Sequence, residues 1–314
     1  MIKESKPIVF SFSDITLFHF VNIVRQWDLQ FLQLEPGVFS VDLKQFISQD
    51  FQLGYGKFNR KVKQEGFSPK GIWTFAFVNA VNLYWRNFKV YLNSVIIYAP
   101  GSEINAVSDA GFEVMTISIP DAYLFKIAKR ENHLARYSVL KTISLLSGEH
   151  PLWQELRASI LLEINRRSIK LEEKSNDAYL EVFTLKLLEL ITHFRISNDE
   201  VSSVKRLNLL KKAEAYILKN ITEPVTVTRL ALYLGVSERT LLYAFRNRFG
   251  MGPKAYMKFL KLNHLHVRLH EQKSKASIAS IARDSGFWHM GQLYKDYKKF
   301  FGELPSETLN GNFK

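Results

Sequence analysis

Residues 238–246 and 290–299 carry the side chains of this 314-residue chain best suited to recognising another molecule. The first stretch, E-R-T-L-L-Y-A-F-R, would set Leu241 and Phe245, at i and i+4, on the inner side of a helix. Glu238, Arg239, Leu242, Tyr243 and Arg246 are then left to face outward. The second stretch, M-G-Q-L-Y-K-D-Y-K-K, turns Leu293 and Tyr297 inward, leaves Met290, Gly291, Gln292, Tyr294 and Lys295 outward, and adds the cations Lys298 and Lys299. Cations hold phosphate oxygens. An arginine fork can also pair with O6 and N7 of guanine, and apolar or aromatic groups pack on thymine methyls. No nucleophile elbow, phosphate-binding loop or carboxylate pair stands in a recognisable context. The chemistry is recognition rather than catalysis.

Both stretches lie inside a repeat. Residues 226–253 and 277–305 align with Thr226 on Ser277, Leu230 on Ile281, Ala231 on Ala282 and Gly235 on Gly286. With one residue inserted after the turn, Leu241 falls on Leu293, Phe245 on Tyr297, Gly250 on Gly302 and Pro253 on Pro305. A hydroxyl at the first position can cap a short helix, and the glycine suits a sharp turn at positive φ. Ser237 can cap the helix that follows. The pattern predicts two helix-turn-helix units. A connecting helix of about 20 residues, Pro253 to Gln272, would be roughly 30 Å long, which suits two major grooves about 34 Å apart on one face of a duplex.

Charge is partitioned in the same way. Residues 205–314 hold 20 Lys and Arg against 8 Asp and Glu, so nearly all of the net +13 lies there. That is the footprint expected for a phosphate-backbone partner. The chain has no cysteine, hence no disulfide or thiolate site. No stretch approaches the apolar length of a membrane span. A soluble, cytoplasmic, nucleoid-associated protein is expected.

The N-terminal part reads differently. Ser13 and Asp14 can cap a helix to about Trp27. From Leu29 to Ile119, short β-branched and aromatic runs alternate with Gly, Pro and Asn, which predicts a small antiparallel barrel or sandwich. Helices are expected over 121–131, 133–147, 151–169, 176–195 and 205–220, with a linker at 196–203. The fold class is thus α+β: a cupin-like antiparallel β-barrel with flanking helices, then an all-α double helix-turn-helix domain. The expected divisions are a β-rich sensor at 1–120, a helical connector or dimerisation segment at 121–196, and a DNA-binding domain at 205–314.

This organisation resembles the AraC/XylS family of bacterial transcription regulators. The resemblance is carried by I-A-x3-G-F from Ile281 to Phe287, by the F-x4-G-x2-P ending of Phe245–Pro253, and by its Tyr297–Pro305 counterpart. About 110 residues match strongly. More loosely, L-x-P-G-x-F at 34–39, F-N-R at 58–60, Y-W-R-N at 84–87 and A-P-G-S-E at 99–103 are similar to the sensor domains of ethanolamine-operon-type regulators. The resemblance implies double-stranded DNA with paired half-sites as partner, RNA polymerase as a second, a homodimer, and a small effector at the barrel. It also implies that Arg239, Leu242 and Tyr243, with Gln292 and Tyr294 in the second unit, face bases, while Arg246, Lys295, Lys298 and Lys299 hold phosphates. Arg239 holding only a phosphate is the other reading of that residue.

Departures from the family pattern fall in the second unit and on the connecting helix. His289 replaces the usual Ser or Thr cap, Gly291 occupies a base-reading position, and Leu265 with Lys261 replaces the usual Ala and Arg on the connecting helix. The second unit is therefore expected to contribute mostly phosphate and shape contacts. In the barrel, no histidine occurs between Phe20 and Asn132, so no metal and no cofactor is expected. Trp73, Tyr84, Trp85 and Arg86 are candidates for an effector pocket, or for ordinary core and rim. The apolar lines Leu152–Leu156–Ile160 and Leu180–Phe183–Leu187–Leu190 suit either a dimer interface or packing on the barrel. One competing function remains: an effector-free architectural DNA-binding factor whose barrel only dimerises or meets a protein.

Overall fold

A computed structural model describes residues 8–311 apart from 24–26, 49–50, 81–82, 87, 91–93, 148–149, 170–176, 192–194, 197–200 and 273–276. In chain order the first elements are β1 (Ile8–Ile15), α1 (Leu17–Ile23), β2 (Asp28–Gln33), β3 (Val41–Ile47), β4 (Gln52–Phe58) and β5 (Val62–Phe67). Then come β6 (Ile72–Ala80), β7 (Leu83–Trp85), β8 (Phe88–Val90), β9 (Ser94–Tyr98), β10 (Glu103–Ser108) and β11 (Glu113–Pro120). Helices α2 (Asp121–Arg130) and α3 (Leu134–Leu140), strand β12 (Leu145–Ser147), helices α4 (Pro151–Ile169) and α5 (Asp177–Leu190), and strand β13 (Arg195–Ile196) follow.

The strands form two antiparallel sheets rather than one closed barrel. One runs β1-β3-β4-β11-β6-β9-β12-β13 and the other β2-β5-β10-β7-β8. The larger sheet ends on two different strands, β1 and β13, so it does not close on itself. Its centre is β11, paired with β4 through Met115 opposite Tyr55 and with β6 through Met115 opposite Phe77. The inward residues of these strands, among them Leu53, Phe75, Phe77, Val95 and Ile117, pack in one cluster with Leu156, Ile160, Leu180, Phe183 and Leu187 of α4 and α5. Both apolar helix lines identified in the sequence are therefore buried inside this unit, against its own sheet.

Three expectations fail locally. Ser13 and Asp14 end a strand instead of capping a helix, because the Phe10 and Phe12 alternation pairs with β3, and the helix starts after Thr16. Leu145–Ser147 is a strand, not the end of a helix, because it finds an edge to pair with on β9. Arg195–Ile196 in turn pairs with β12. Half of the expected linker, 197–200, lies outside the described residues, and a helix resumes at Val201.

By internal contacts the chain divides into two compact units. One holds residues 1–30, 40–59 and 64–198; the other holds 31–39, 60–63 and 199–314. The second comprises α6 (Val201–Lys219), α7 (Val227–Leu234), α8 (Glu238–Phe249), α9 (Pro253–Gln272), α10 (Ile278–Asp284), α11 (Met290–Phe301) and α12 (Pro305–Leu309). Its two short N-terminal segments have a structural role that periodicity does not announce. The Asn263 amide pairs with both backbone groups of Gln33, at 3.0 and 2.9 Å, as a neighbouring strand would. The carbonyl of Phe300, at the open C-terminal end of α11, accepts from the Gly37 N–H at 2.9 Å and from Gln33 Nε2 at 3.2 Å. Lys63 forms an ion pair with Glu214 at 2.6 Å, both side chains nearly sealed from solvent.

Candidate nucleic-acid interface

The two helix pairs of the second unit are built alike. Thr226 caps α7 by accepting from the Arg229 N–H at 3.1 Å, and Ser277 caps α10 by accepting from the Ser280 N–H at 3.2 Å. Gly235 and Gly286 turn the chain at φ 66° and 76°. Behind each turn the same bond closes: the Val236 N–H reaches the Ala231 carbonyl at 3.1 Å, and the Phe287 N–H the Ala282 carbonyl at 2.9 Å. Leu230, Ala231, Leu241 and Phe245 are buried in the first unit, as are Ile281, Ala282, Leu293 and Tyr297 in the second. The helical spacing thus sorts the side chains as their periodicity requires.

On α8, Arg239, Tyr243 and Arg246 are exposed. Tyr243 is 61% exposed, and the Arg206 guanidinium lies 5.7 Å from its ring centroid, a cation on the outward face that the motif did not flag. Leu242 is only half-exposed and its methyl lies close over Gly252. Ser237 caps this helix by accepting from the Thr240 N–H at 3.0 Å. Glu238, on the first turn, is bonded to the Thr228 hydroxyl and is thereby tied to α7.

On α11, Gln292, Lys295, Lys298 and Lys299 are exposed and Tyr294 is half-exposed. His289 occupies the cap position and its ring makes no capping bond. A Cβ built on Gly291 meets nothing within 4 Å, so the first turn of this helix presents open space where a side chain would stand. Ser285 and Gly286 show why the turn is tight. A Cβ on Gly286 would lie 2.0 Å from the Ile221 carbonyl oxygen, beside Lys261 Nζ, which itself donates to the Glu223 carbonyl at 3.1 Å. Lys261 therefore links the entry of the first helix pair to the turn of the second, and burial lowers its pKa.

Helix α9 joins the two pairs through a fully buried seam of Leu262, Leu265 and Leu269 against Ile281, Leu293, Tyr297 and Phe300. A polar chain crosses this apolar seam. His266 Nδ1 and Thr308 Oγ1 both bond Tyr297 Oη, at 2.6 and 2.8 Å, and His270 Nε2 lies 3.1 Å from His266 Nε2. Burial, with a lesser push from His270, drives the His266 pKa down from its ordinary value to about 3. A histidine held neutral in the fold but free to protonate when unfolded destabilises the fold as pH falls below about 6.5. One such proton removes roughly 1.4 kcal/mol per pH unit, or about 2 kcal/mol between pH 6.5 and 5. Urea unfolding at pH 7 and pH 5 should show that loss in the native chain, and His266→Phe should flatten it.

In the N-terminal unit, Trp73 is part of the core and its indole N–H donates to Asp121 Oδ1 at 2.6 Å. Trp85 is fully buried, in edge contact with Tyr98 at 4.8 Å, and its indole N–H has no hydrogen-bond partner among the described residues. Arg86 follows it at φ 49° with its guanidinium 5.2 Å from the Trp85 ring centroid, and Tyr84 is half-buried. Among the described residues no group of three His, Asp or Glu could hold a metal ion, and no helix is long and apolar enough to cross a membrane.

Two capped helix pairs in tandem, a 20-residue spacer helix, and cations on both outward faces define a double helix-turn-helix protein. Residues 230–311 match a family model described as a helix-turn-helix domain. A XylDLEGF operon transcriptional activator of Pseudomonas putida is 32% identical over 132 residues, 42% of this chain and 40% of that protein. The regulatory protein HrpB of Ralstonia nicotianae is 32% identical over 116 residues, 36% of this chain and 24% of that protein. A solved structure of a probable AraC family transcriptional regulator from Rhodopseudomonas palustris is 33% identical, covering 34% of this chain and 99% of that one, with a TM-score of 0.31. Residues 230–311 are thus a helix-turn-helix domain of the AraC/XylS type. The match spans well under half the length of these two relatives.

Proposed function

We propose that this protein is a sequence-specific DNA-binding transcription regulator, an activator, whose two helix-turn-helix units read paired half-sites in the cytoplasm. The observation that carries the reading is the outward face of α8: Arg239 and Tyr243 stand exposed on a capped helix whose opposite side is wholly core. A fork donor and an aromatic ring there suit guanine and a thymine methyl, with Leu242 at their margin. Arg246, Lys295, Lys298 and Lys299 supply phosphate contacts, and Gln292 and Tyr294 the polar edge of the second helix.

A small effector at the N-terminal unit tunes that binding. The support lies in Trp85 and Arg86: a buried indole N–H without a partner beside a guanidinium on a strained backbone suits a ligand with an anionic or acceptor group. Tyr84 belongs to the same strand. The effector acts by favouring one of two arrangements with different DNA affinity. A second copy, if paired through α4 and α5, would use Leu162 and Val182, which remain 70% and 55% exposed. RNA polymerase is the further partner that activation requires.

Competition binding on sequences selected from random DNA tests the reading. Arg239→Ala should lose about 1–3 kcal/mol of discrimination at one base pair. Lys295→Ala should weaken all sequences alike and reduce the salt slope by about one. If Lys295→Ala instead relaxed preference at a single base, the phosphate role would be wrong.

A further inference from the structure

We infer that Trp288 reads DNA, its indole packing on a thymine methyl in the major groove that α11 enters. The inference rests on the DNA-binding reading above and adds a specificity residue to the second unit.

The two helix pairs differ by one residue, and the structure identifies which. From the turn glycine to the cap of the outward helix is two residues in the first pair, Gly235 to Ser237, and three in the second, Gly286 to His289. The backbone bond behind the turn is the same in both, through Val236 and Phe287. The additional residue is therefore Trp288, placed after the turn has closed and before α11 begins. Three tryptophans of the chain, Trp73, Trp85 and Trp153, are at most 2% exposed, whereas Trp288 is 63% exposed. Nothing in the fold requires an indole there. It is not part of the buried cluster around α9, and it leaves a large apolar surface in water.

The neighbouring residues say what would cover it. Trp288 directly precedes the outward stripe of Gln292, Lys295 and Lys299, all exposed. Gly291, the second residue of α11, has no side chain, and the space a Cβ would enter is open. A helix so bared can approach the base edges closely, and a flat ring ahead of it can reach the ground that residue 291 leaves vacant. An exposed ring followed by exposed lysines on the next helix matches a partner that is anionic at its rim and apolar within. A duplex major groove has that pattern, with phosphates at its edges and thymine methyls on its floor.

The test uses the full-length protein and a site selected from random DNA. Each thymine is replaced in turn by deoxyuridine, which deletes only the methyl. The native chain should lose about three- to tenfold in affinity at one thymine of the half-site that does not depend on Arg239. Trp288→Ala should bind the thymine and deoxyuridine forms equally weakly at that position, and Trp288→Phe should keep most of the methyl dependence. Unchanged thermal unfolding of the variants checks that the exposed site leaves the fold intact. The inference is overturned if Trp288→Ala keeps the methyl dependence, or weakens every sequence alike as a backbone contact would. Arg239→Ala separates the two levels: if it loses its base preference while Trp288→Ala behaves as native, only this inference fails. If neither substitution alters any sequence preference, the sequence-directed reading fails with it.

Discussion

Lys63→Met should destabilise the unit that carries both helix pairs by about 3–5 kcal/mol, although residue 63 lies far from it in sequence. The reason is electrostatic. Lys63 Nζ sits 2.6 Å from Glu214 Oε2, with Lys63 5% and Glu214 7% exposed. The Tyr256 hydroxyl bonds the other carboxylate oxygen, and its ring lies stacked on Phe249 at 4.2 Å and edge-on to Phe245 at 5.2 Å. Methionine keeps the length of the stem but removes the Lys63 cation from a buried carboxylate. The cost is therefore the desolvation of a carboxylate, not the loss of a surface pair, which would be worth less than about 1 kcal/mol. Urea unfolding measures it. The double variant Lys63→Met/Glu214→Leu should recover most of the loss, because an apolar pair of similar volume suits the site as well as an ion pair does. A single-variant loss below about 1 kcal/mol would show that the pair is solvated in solution.

Gly286→Ala should cost about 2–5 kcal/mol, and Gly235→Ala no more than about 1–2 kcal/mol. Both glycines turn their helix pairs at positive φ, so both substitutions carry the left-handed backbone penalty. Only Gly286 adds a collision: its Cβ would stand 2.0 Å from the Ile221 carbonyl and 2.6 Å from Lys261 Nζ, while a Cβ on Gly235 meets nothing within 4 Å. The Ile221 backbone cannot give way without shifting the entry to α7, so Gly286→Ala should also disturb the spacing of α8 and α11. Thermal unfolding of the two variants side by side gives the comparison. Equal losses would mean that the turn penalty is all there is.

These two sites mark where the sequence is legible and where it is not. The repeat could be read residue by residue because its signals are local: a hydroxyl three residues before the amide it caps, a glycine at the turn, Leu241 and Phe245 one turn apart. The lateral placement of Lys63 beside Glu214 could not be read, since a pairing across 151 positions leaves no periodicity. The same holds for Asn263 standing in for a strand beside Gln33. Errors in the N-terminal part have a common cause. Ser13 with Asp14, Leu145 to Ser147, and Arg195 became strand rather than helix because a strand edge lay beside them, and tertiary pairing outweighed helical propensity. The alternating strands were visible, but whether their sheet closed depended on strand order, which alternation does not encode. Trp288 could have been noticed from the alignment alone. The one-residue insertion was evident, and the inserted residue is a tryptophan.

Genome-wide footprinting of the native protein in its host, beside the Arg239→Ala/Tyr243→Ala variant, tests the central claim most directly. Sharp sites upstream of particular operons, lost in the variant, are the predicted result, and those operons would indicate the effector by their chemistry. Broad occupancy unchanged by the variant would mean that the phosphate backbone alone drives binding. The protein would then be an architectural factor, and the account of α8 as a reading helix would be wrong.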